Sequence, residues 1–349
     1  MRRRTSTRFL HGLVSVIIAV VITASLLTNC AYRKSTRLRI INPYANVDWV
    51  THGQYKANFH THTTIGDAAA TPQEVIDQYL EAGYSILALT DHDTNGPEEP
   101  TWPWQAYDRS PDSLGMVAIQ GNEISEENHI GSHFNDYGNP DIQSEEEAIK
   151  EIGQRGGLAL LHHPGRYDRT LEWYLDLYRR YDHLIGQEVY NQIDRYPGDR
   201  AKWDSILTVL LPERPVWAFS NDDMHNPEKN LGFSWNVIIA PELTSDLVRQ
   251  AMEEGCFFFV HAPKGYDEMT VPVIDAIIVK RRPGSLRIKA SDYEFIEWVS
   301  QGEIVHRGDR LNLADLPDTN KYIRAEVFSA DSVVVGTQPF LILRPEPKE

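Results

Sequence analysis

Polar and apolar positions change rhythm twice along this 349-residue chain. Phe9 to Leu27 is nearly continuous apolar sequence, broken only by His11, Gly12, Ser15, Thr23 and Ser25, with no amphipathic face. From about residue 40, short apolar runs alternate with amphipathic ones. Tyr55 to His60 alternates as a strand, and Thr71-Pro72-Gln73-Glu74 supplies the N-cap, N1 proline and capping-box glutamate of a helix that closes at Gly83. Ile86 to Thr90 and Met116 to Glu123 predict further strands. Ser144 with Glu145, Glu146 and Glu147 opens a helix running toward Gly156-Gly157, which feeds the apolar strand Leu158 to Leu161. Leu171 to Arg180, Ile185 to Val189, Arg200 to Leu211 and Val216 to Ser220 continue the alternation. Short apolar strands separated by helices predict an α/β fold with a mostly parallel sheet, closed as a β/α barrel like the TIM barrel. After roughly Pro272 only short β-like runs remain, from Val273 to Lys280 through Gln338 to Leu343, punctuated by turns such as Pro283-Gly284 and Gly308-Asp309. They predict a small all-β, sandwich-like module. The expected layout is a signal or anchor segment over 1–34, a barrel over 40–270 and the β module over 271–349, with the barrel sufficient for chemistry.

Composition narrows the function. Six of the 34 basic residues fall in the first 34 positions, where no acid occurs, leaving 28 basic against 50 acidic side chains beyond. A body that acidic repels long phosphate backbones, so extended nucleic-acid binding is not expected. Two cysteines, Cys30 and Cys256, exclude a disulfide scaffold and a thiolate zinc cluster. Arg2 to Arg4 and Arg8 ahead of the apolar run read as a secretory signal or a membrane anchor. Leu27-Thr28-Asn29-Cys30 resembles a bacterial lipobox, although Asn29 stands where a small residue belongs. Either a lipidated Cys30 or an uncleaved helix attaches the protein to the membrane, and the body is expected outside the cytoplasm, in a bacterial cell envelope.

The candidate chemistry sits where strands end. His60 and His62, two apart, face one side of a strand, with Asp67 in the following loop. Thr90-Asp91-His92-Asp93, Glu123, His162-His163-Pro164 and Asn221-Asp222-Asp223-Met224-His225 close later strands. One His-x-His or one Asp-rich loop is as well explained by turns and caps. Five such clusters at five strand ends are not independent accidents, because barrel strand ends converge on one mouth. Imidazoles with carboxylates and no thiolate suit Zn²⁺, Mn²⁺ or Fe²⁺, and this many ligands hold two or three divalent ions.

These motifs, His60-Thr61-His62 with Asp67, Thr90-Asp91-His92, Gly121-Asn122-Glu123, His163-Pro164 and Asp223-Met224-His225, resemble in order and spacing those of the polymerase and histidinol phosphatase (PHP) family, over residues 55 to 265. The resemblance implies a distorted barrel of seven β/α units and a multi-metal centre that hydrolyses phosphate esters. It carries the family's metal-ligand roles onto His60, His62, Asp67, His92, Glu123, His163, Asp223 and His225. A ninth ligand falls to His133, in Ser132-His133-Phe134, which fits the family's context better than His129. Where the family has Ser-Asp-Gly, this chain has Gly66-Asp67-Ala68. His162, pointing oppositely to His163, reads as a core-facing or supporting residue, and Asp222 as a hydrogen-bond partner for a ligating imidazole.

The expected mechanism is attack by a metal-bridging hydroxide, with Glu123 bridging the ions, Arg166 gripping phosphate, and Asp91 or His162 protonating the leaving group. The expected substrate is a small phosphomonoester or a nucleotide-like phosphodiester. Two other readings stay open: an envelope hydrolase of amides or lactones, and a non-catalytic envelope binding protein.

Overall fold

The structure, a computed structural model, describes residues 39–343 except 94–101, 126, 139–140, 142–143, 282–283 and 318. The apolar run and Cys30, with the signal or anchor segment built on them, lie outside the described residues. Among the described residues no helix is long and apolar enough to cross a membrane.

The site is framed by two groups of parallel strands. In the first, β2 (Gly53–Asn58), β3 (Ile86–Ala88) and β4 (Val117–Ile119) run parallel, after a short β1 (Arg39–Ile41). The second begins with an antiparallel hairpin, β5 (Gly121–Ile124) and β6 (Ile130–His133), and continues through β7 (Leu158–Leu161), β8 (Leu184–Asn191) and β9 (Trp217–Asn221), of which the last three are parallel. Helices α1 (Pro72–Glu81), α2 (Pro111–Leu114), α3 (Glu145–Gln154), α4 (Leu171–Arg180), α5 (Gly198–Leu210), α6 (Pro227–Asn230) and α7 (Ser245–Glu254) connect or cover them. The capping signals act as read: the Glu74 carboxylate accepts from Thr71 N at 2.8 Å while Thr71 Oγ1 accepts from Glu74 N, and Ser144 caps α3.

The closed barrel expected from the alternation is not formed; the described strands make open sheets. The reason lies in β10 (Ser234–Ala240) and β11 (Phe257–His261), which the alternation does not announce. β10 pairs antiparallel with β2 and takes the edge that a barrel would reserve for β9. Side chains replace the missing ladder. Asn236 Nδ2 donates to Ser220 O at 2.7 Å, Ser220 N donates to Asn236 Oδ1 at 3.1 Å, and Phe59 N donates to Asn221 Oδ1 at 3.1 Å. Isolated parallel bridges, Thr61 to Met224 and His92 to Glu123, join the two groups just above. Phe59, Leu160, Phe219 and Ile238 fill the interior between them.

The C-terminal strands do form two packed layers. β12 (Val273–Lys280), β13 (Ser285–Ser291) and β16 (Arg310–Asn312) make one sheet, packed against β14 (Phe295–Ser300), β15 (Glu303–Arg307), β17 (Tyr322–Phe328), β18 (Val334–Thr337) and β19 (Phe340–Leu343) through Ile277, Leu286, Trp298 and Ala325. The second layer runs through the expected boundary near 270, because β18 pairs with β11 and β1 pairs with β19. Gln338 extends the weld: its side chain exchanges two 2.9 Å hydrogen bonds with the backbone of Ala218 on β9.

Candidate metal centre

Strand β2 delivers His60 and His62, both fully buried, to the mouth. The turn beyond them is held by Asp91, whose Oδ1 accepts from Thr63 N at 2.6 Å and Gly66 N at 3.2 Å, and whose Oδ2 accepts from Thr63 Oγ1 at 2.7 Å. This turn presents Asp67, 43% exposed, 3.4 Å from His225 Nε2 and 3.9 Å from His92 Nε2. Glu123, at the exit of the β5 hairpin strand, is the hub. Its Oε1 lies 2.9 Å from His162 Nδ1, 3.0 Å from His129 Nδ1, 3.1 Å from His60 Nε2 and 3.4 Å from His163 Nε2. Its Oε2 lies 2.9 Å from His92 Nδ1 and 3.5 Å from His62 Nε2. Asp223 Oδ1 lies 3.1 Å from His62 Nε2, 3.3 Å from His60 Nε2 and 3.4 Å from His225 Nδ1. Asp223 and His163 both sit at positive φ, 44° and 30°, so the chain accepts backbone strain to aim them inward.

Electrostatics follow from packing. Burial opposes ionisation of Glu123 and Asp223, but the imidazoles around them, His60 first, hold both carboxyls well below the usual range. Burial pushes His62 down, and drives His162, beside His60, to about 3, so both favour the neutral form that donates a lone pair. Glycine makes room for this crowding: a Cβ at Gly131 would fall 2.2 Å from His162 Nε2.

Eight of the nine expected ligands come together here; His133 does not. Strand β6 runs antiparallel to β5, with Glu123 opposite Gly131 and Gly121 opposite His133, so the start of β6 lies at the mouth and its end lies below. His129 therefore reaches Glu123, while His133 is buried with Nε2 2.8 Å from Phe59 O. The other expected roles also shift. Asp91 is committed to the turn, and Asp222 meets no imidazole: it accepts from Tyr79, Tyr84 and the backbone N–H groups of Gly232, Phe233 and Ser234. His162 touches Glu123 and stacks on His60 at 3.7 Å between ring centroids. Arg166 is exposed, its guanidinium 5.5 Å from the Tyr167 ring.

Glu188, absent from the expectations, is the principal supporting residue. Fully buried on β8, it lies 2.9 Å from His60 Nδ1 and accepts from His163 N at 2.7 Å, Asn191 Nδ2 at 2.9 Å and Asn221 Nδ2 at 3.0 Å. Burial opposes its ionisation, yet His60 and His162 bring it down to about 2. A lone acid inside the predicted strand Ile185 to Val189 was the available signal.

The donor set fits divalent ions. His60 Nε2, both ring nitrogens of His62, His129 Nδ1, His163 Nδ1 and Glu123 Oε2 are buried without a hydrogen-bond partner. Such orphans are costly unless something else satisfies them. The nitrogen and oxygen donors of His60, His62 and Glu123, of His62, Asp67, His92 and His225, of His60, His163 and Asp223, and of His92, Glu123 and His129 gather within 4.8 Å in each set. The sets share members, as one multi-ion cluster would.

No family model matches the chain. The 5′-3′ exoribonuclease Rnm of Salmonella typhimurium is 23% identical over 257 residues, an alignment taking in 49% of this chain and 85% of that protein. An uncharacterised protein of Methanocaldococcus jannaschii is 28% identical over 182 residues, covering 47% of this chain and 96% of its own. Among solved structures, a two-domain Bacteroides vulgatus protein containing a predicted PHP-like metal-dependent phosphoesterase is similar with a TM-score of 0.52 and 16% identity, over 86% of this chain and 89% of that one. The fold of this chain is thus that of the PHP-like phosphoesterases, as its motifs imply.

Proposed function

We propose that the chain is a metal-dependent phosphoesterase acting on a small phosphomonoester or nucleotide-like phosphodiester at the Glu123 cluster. The observation that carries the reading is the convergence of buried, unpartnered imidazole nitrogens on the Glu123 and Asp223 carboxylates. Bound divalent ions supply a strongly acidified water and neutralise phosphoryl oxygens. The protein's own part is positional. Glu123 faces imidazoles with both oxygens, which suits it to hold two ions at once, and Glu188 fixes the His60 ring and the turn at His163 from behind. Asp67 and His225 form the exposed rim, so substrate approaches from their side. The likeness to an exoribonuclease and to the phosphoesterase fold supports phosphorus over carbon as the centre attacked.

The test is elemental analysis of reconstituted protein, then turnover on phosphomonoesters, phosphodiesters and acyl esters. At least two ions per chain and cleavage of phosphate esters are expected. One ion or fewer, or cleavage of acyl esters alone, sinks the proposal.

A further inference from the structure

The sequence contains the dipeptide Arg-Tyr at 166–167, 180–181 and 195–196, and in each the guanidinium lies over its neighbour's ring, at 5.5, 5.3 and 5.2 Å. The three differ in what else holds them. At the end of α4, Arg180 is engaged by Glu146 and Asp176, and the Tyr181 hydroxyl donates to Glu146 at 2.9 Å, so that pair is fully explained as surface structure. The other two border the metal centre. The Tyr167 and Tyr196 rings lie 5.8 and 5.4 Å from that of His163, both half-buried, and Arg166 and Arg195 are exposed. Among the described residues neither arginine has an ion pair, although neighbouring Arg169 and Arg200 are each matched to carboxylates. In a chain with 50 acids to 34 bases, two unmatched arginines beside one ligand leave positive charge free for an anion.

The two segments form one surface. Asp199 accepts from Gly165 N, a Cβ on Gly198 would lie only 3.9 Å from Gly165 Cα, and Lys202 donates to Pro164 O at 2.7 Å and Tyr167 O at 3.0 Å. Aromatic faces with arginines beside a phosphate-cleaving centre match a nucleotide, whose base stacks while its phosphate is held. We infer that Arg166-Tyr167 and Arg195-Tyr196 form a clamp for the nucleoside part of the ester, making the substrate a mononucleotide or the end of a short oligonucleotide. The inference rests on the phosphoesterase reading and narrows it. The acidic body sets the upper limit on length, since further phosphates would meet repulsion.

Adenosine 5′-monophosphate and ribose 5-phosphate offer a matched pair that differs only by the base. For the full-length, metal-loaded protein, the dissociation constant and kcat/KM should favour the nucleotide by about tenfold or more, the worth of one stacked base. Tyr196→Ala should bring both ratios close to one, and Tyr196→Phe should keep them, with metal content confirming an intact centre. Equal dissociation constants in the wild type, or an unchanged ratio in Tyr196→Ala, would overturn the clamp. Absence of turnover of these monoesters and of phosphodiesters alike would instead sink the phosphoesterase reading, while the ratio of dissociation constants would still decide the clamp.

Discussion

Two buried charge clusters in this molecule are built on opposite principles. Around Arg324, 4% exposed, every charge has a partner: Nη2 donates to Asp204 Oδ2 at 2.8 Å, Nε to Asp204 Oδ1 at 3.2 Å, Nη1 to Glu326, and the Tyr322 hydroxyl closes the ring on Asp204 at 2.5 Å. Around Glu123, imidazole nitrogens point at carboxylates they do not satisfy. The first cluster is complete without a guest; the second is not. Asp222 and Asp223, adjacent in sequence, show the same split, one accepting from five donors of the protein and the other facing imidazoles. Hydrogen-bond completeness, rather than burial or charge, separates a structural knot from a reactive centre.

The sharpest break of that contrast is Glu123→Gln. It removes a charge that faces several ligand sets, so phosphate-ester turnover should fall by about a thousandfold or more, at the upper end of single-group electrostatic losses. Bound metal should fall below two ions per chain, while circular dichroism stays unchanged. Wild-type turnover in this variant would mean that the reactive centre lies elsewhere.

The Arg324 cluster should respond in the opposite way. Arg324→Met leaves Asp204 and Glu326 without their cation, and losing one partner of a buried pair costs about 3 kcal/mol. A lower melting temperature is expected, with metal content per folded chain unchanged. Because Asp204 lies on α5 and Arg324 on β17, this variant also probes how firmly the two parts of the chain are joined. Loss of metal at unchanged stability would contradict the contrast.

Much of this was legible in sequence, for reasons that differ by element. Caps and glycine stops act locally, so α1 and α3 could be read, and ligands at the ends of strands could be grouped because strand ends share a mouth. Three features depended on pairings that sequence does not display. The direction of β6 decides whether His129 or His133 meets Glu123, and alternation alone is silent on direction. The antiparallel β10 opens what the strand rhythm predicts as a barrel. Glu188 sat in a run read only as a strand, where its role depends on His60, 128 positions away.

The smallest expected effect concerns Asp199, a buried carboxyl between the two regimes: Oδ1 accepts from Gly165 N and Oδ2 has no partner. Burial raises its pKa to about 8, only partly offset by the Gly165 hydrogen bond. An unfolded aspartate releases its proton near pH 4. Between these values the folded chain binds more protons than the unfolded one, so the contribution of Asp199 to stability falls as pH rises from about 4 to 8 and levels off above. At pH 5 the unfolded aspartate is already ionised while the folded acid is still neutral, so Asp199→Asn, whose amide also offers Gly165 an acceptor, should be the more stable by about 1 kcal/mol. Toward pH 8 the margin should widen, because the variant escapes the cost of burying a charge. Thermal melts of metal-free protein at the two pH values decide it. Greater wild-type stability at pH 8 would show the carboxylate ionised in the fold and paired, with Lys202 as the nearby cation, and would move Asp199 to the satisfied side of the comparison.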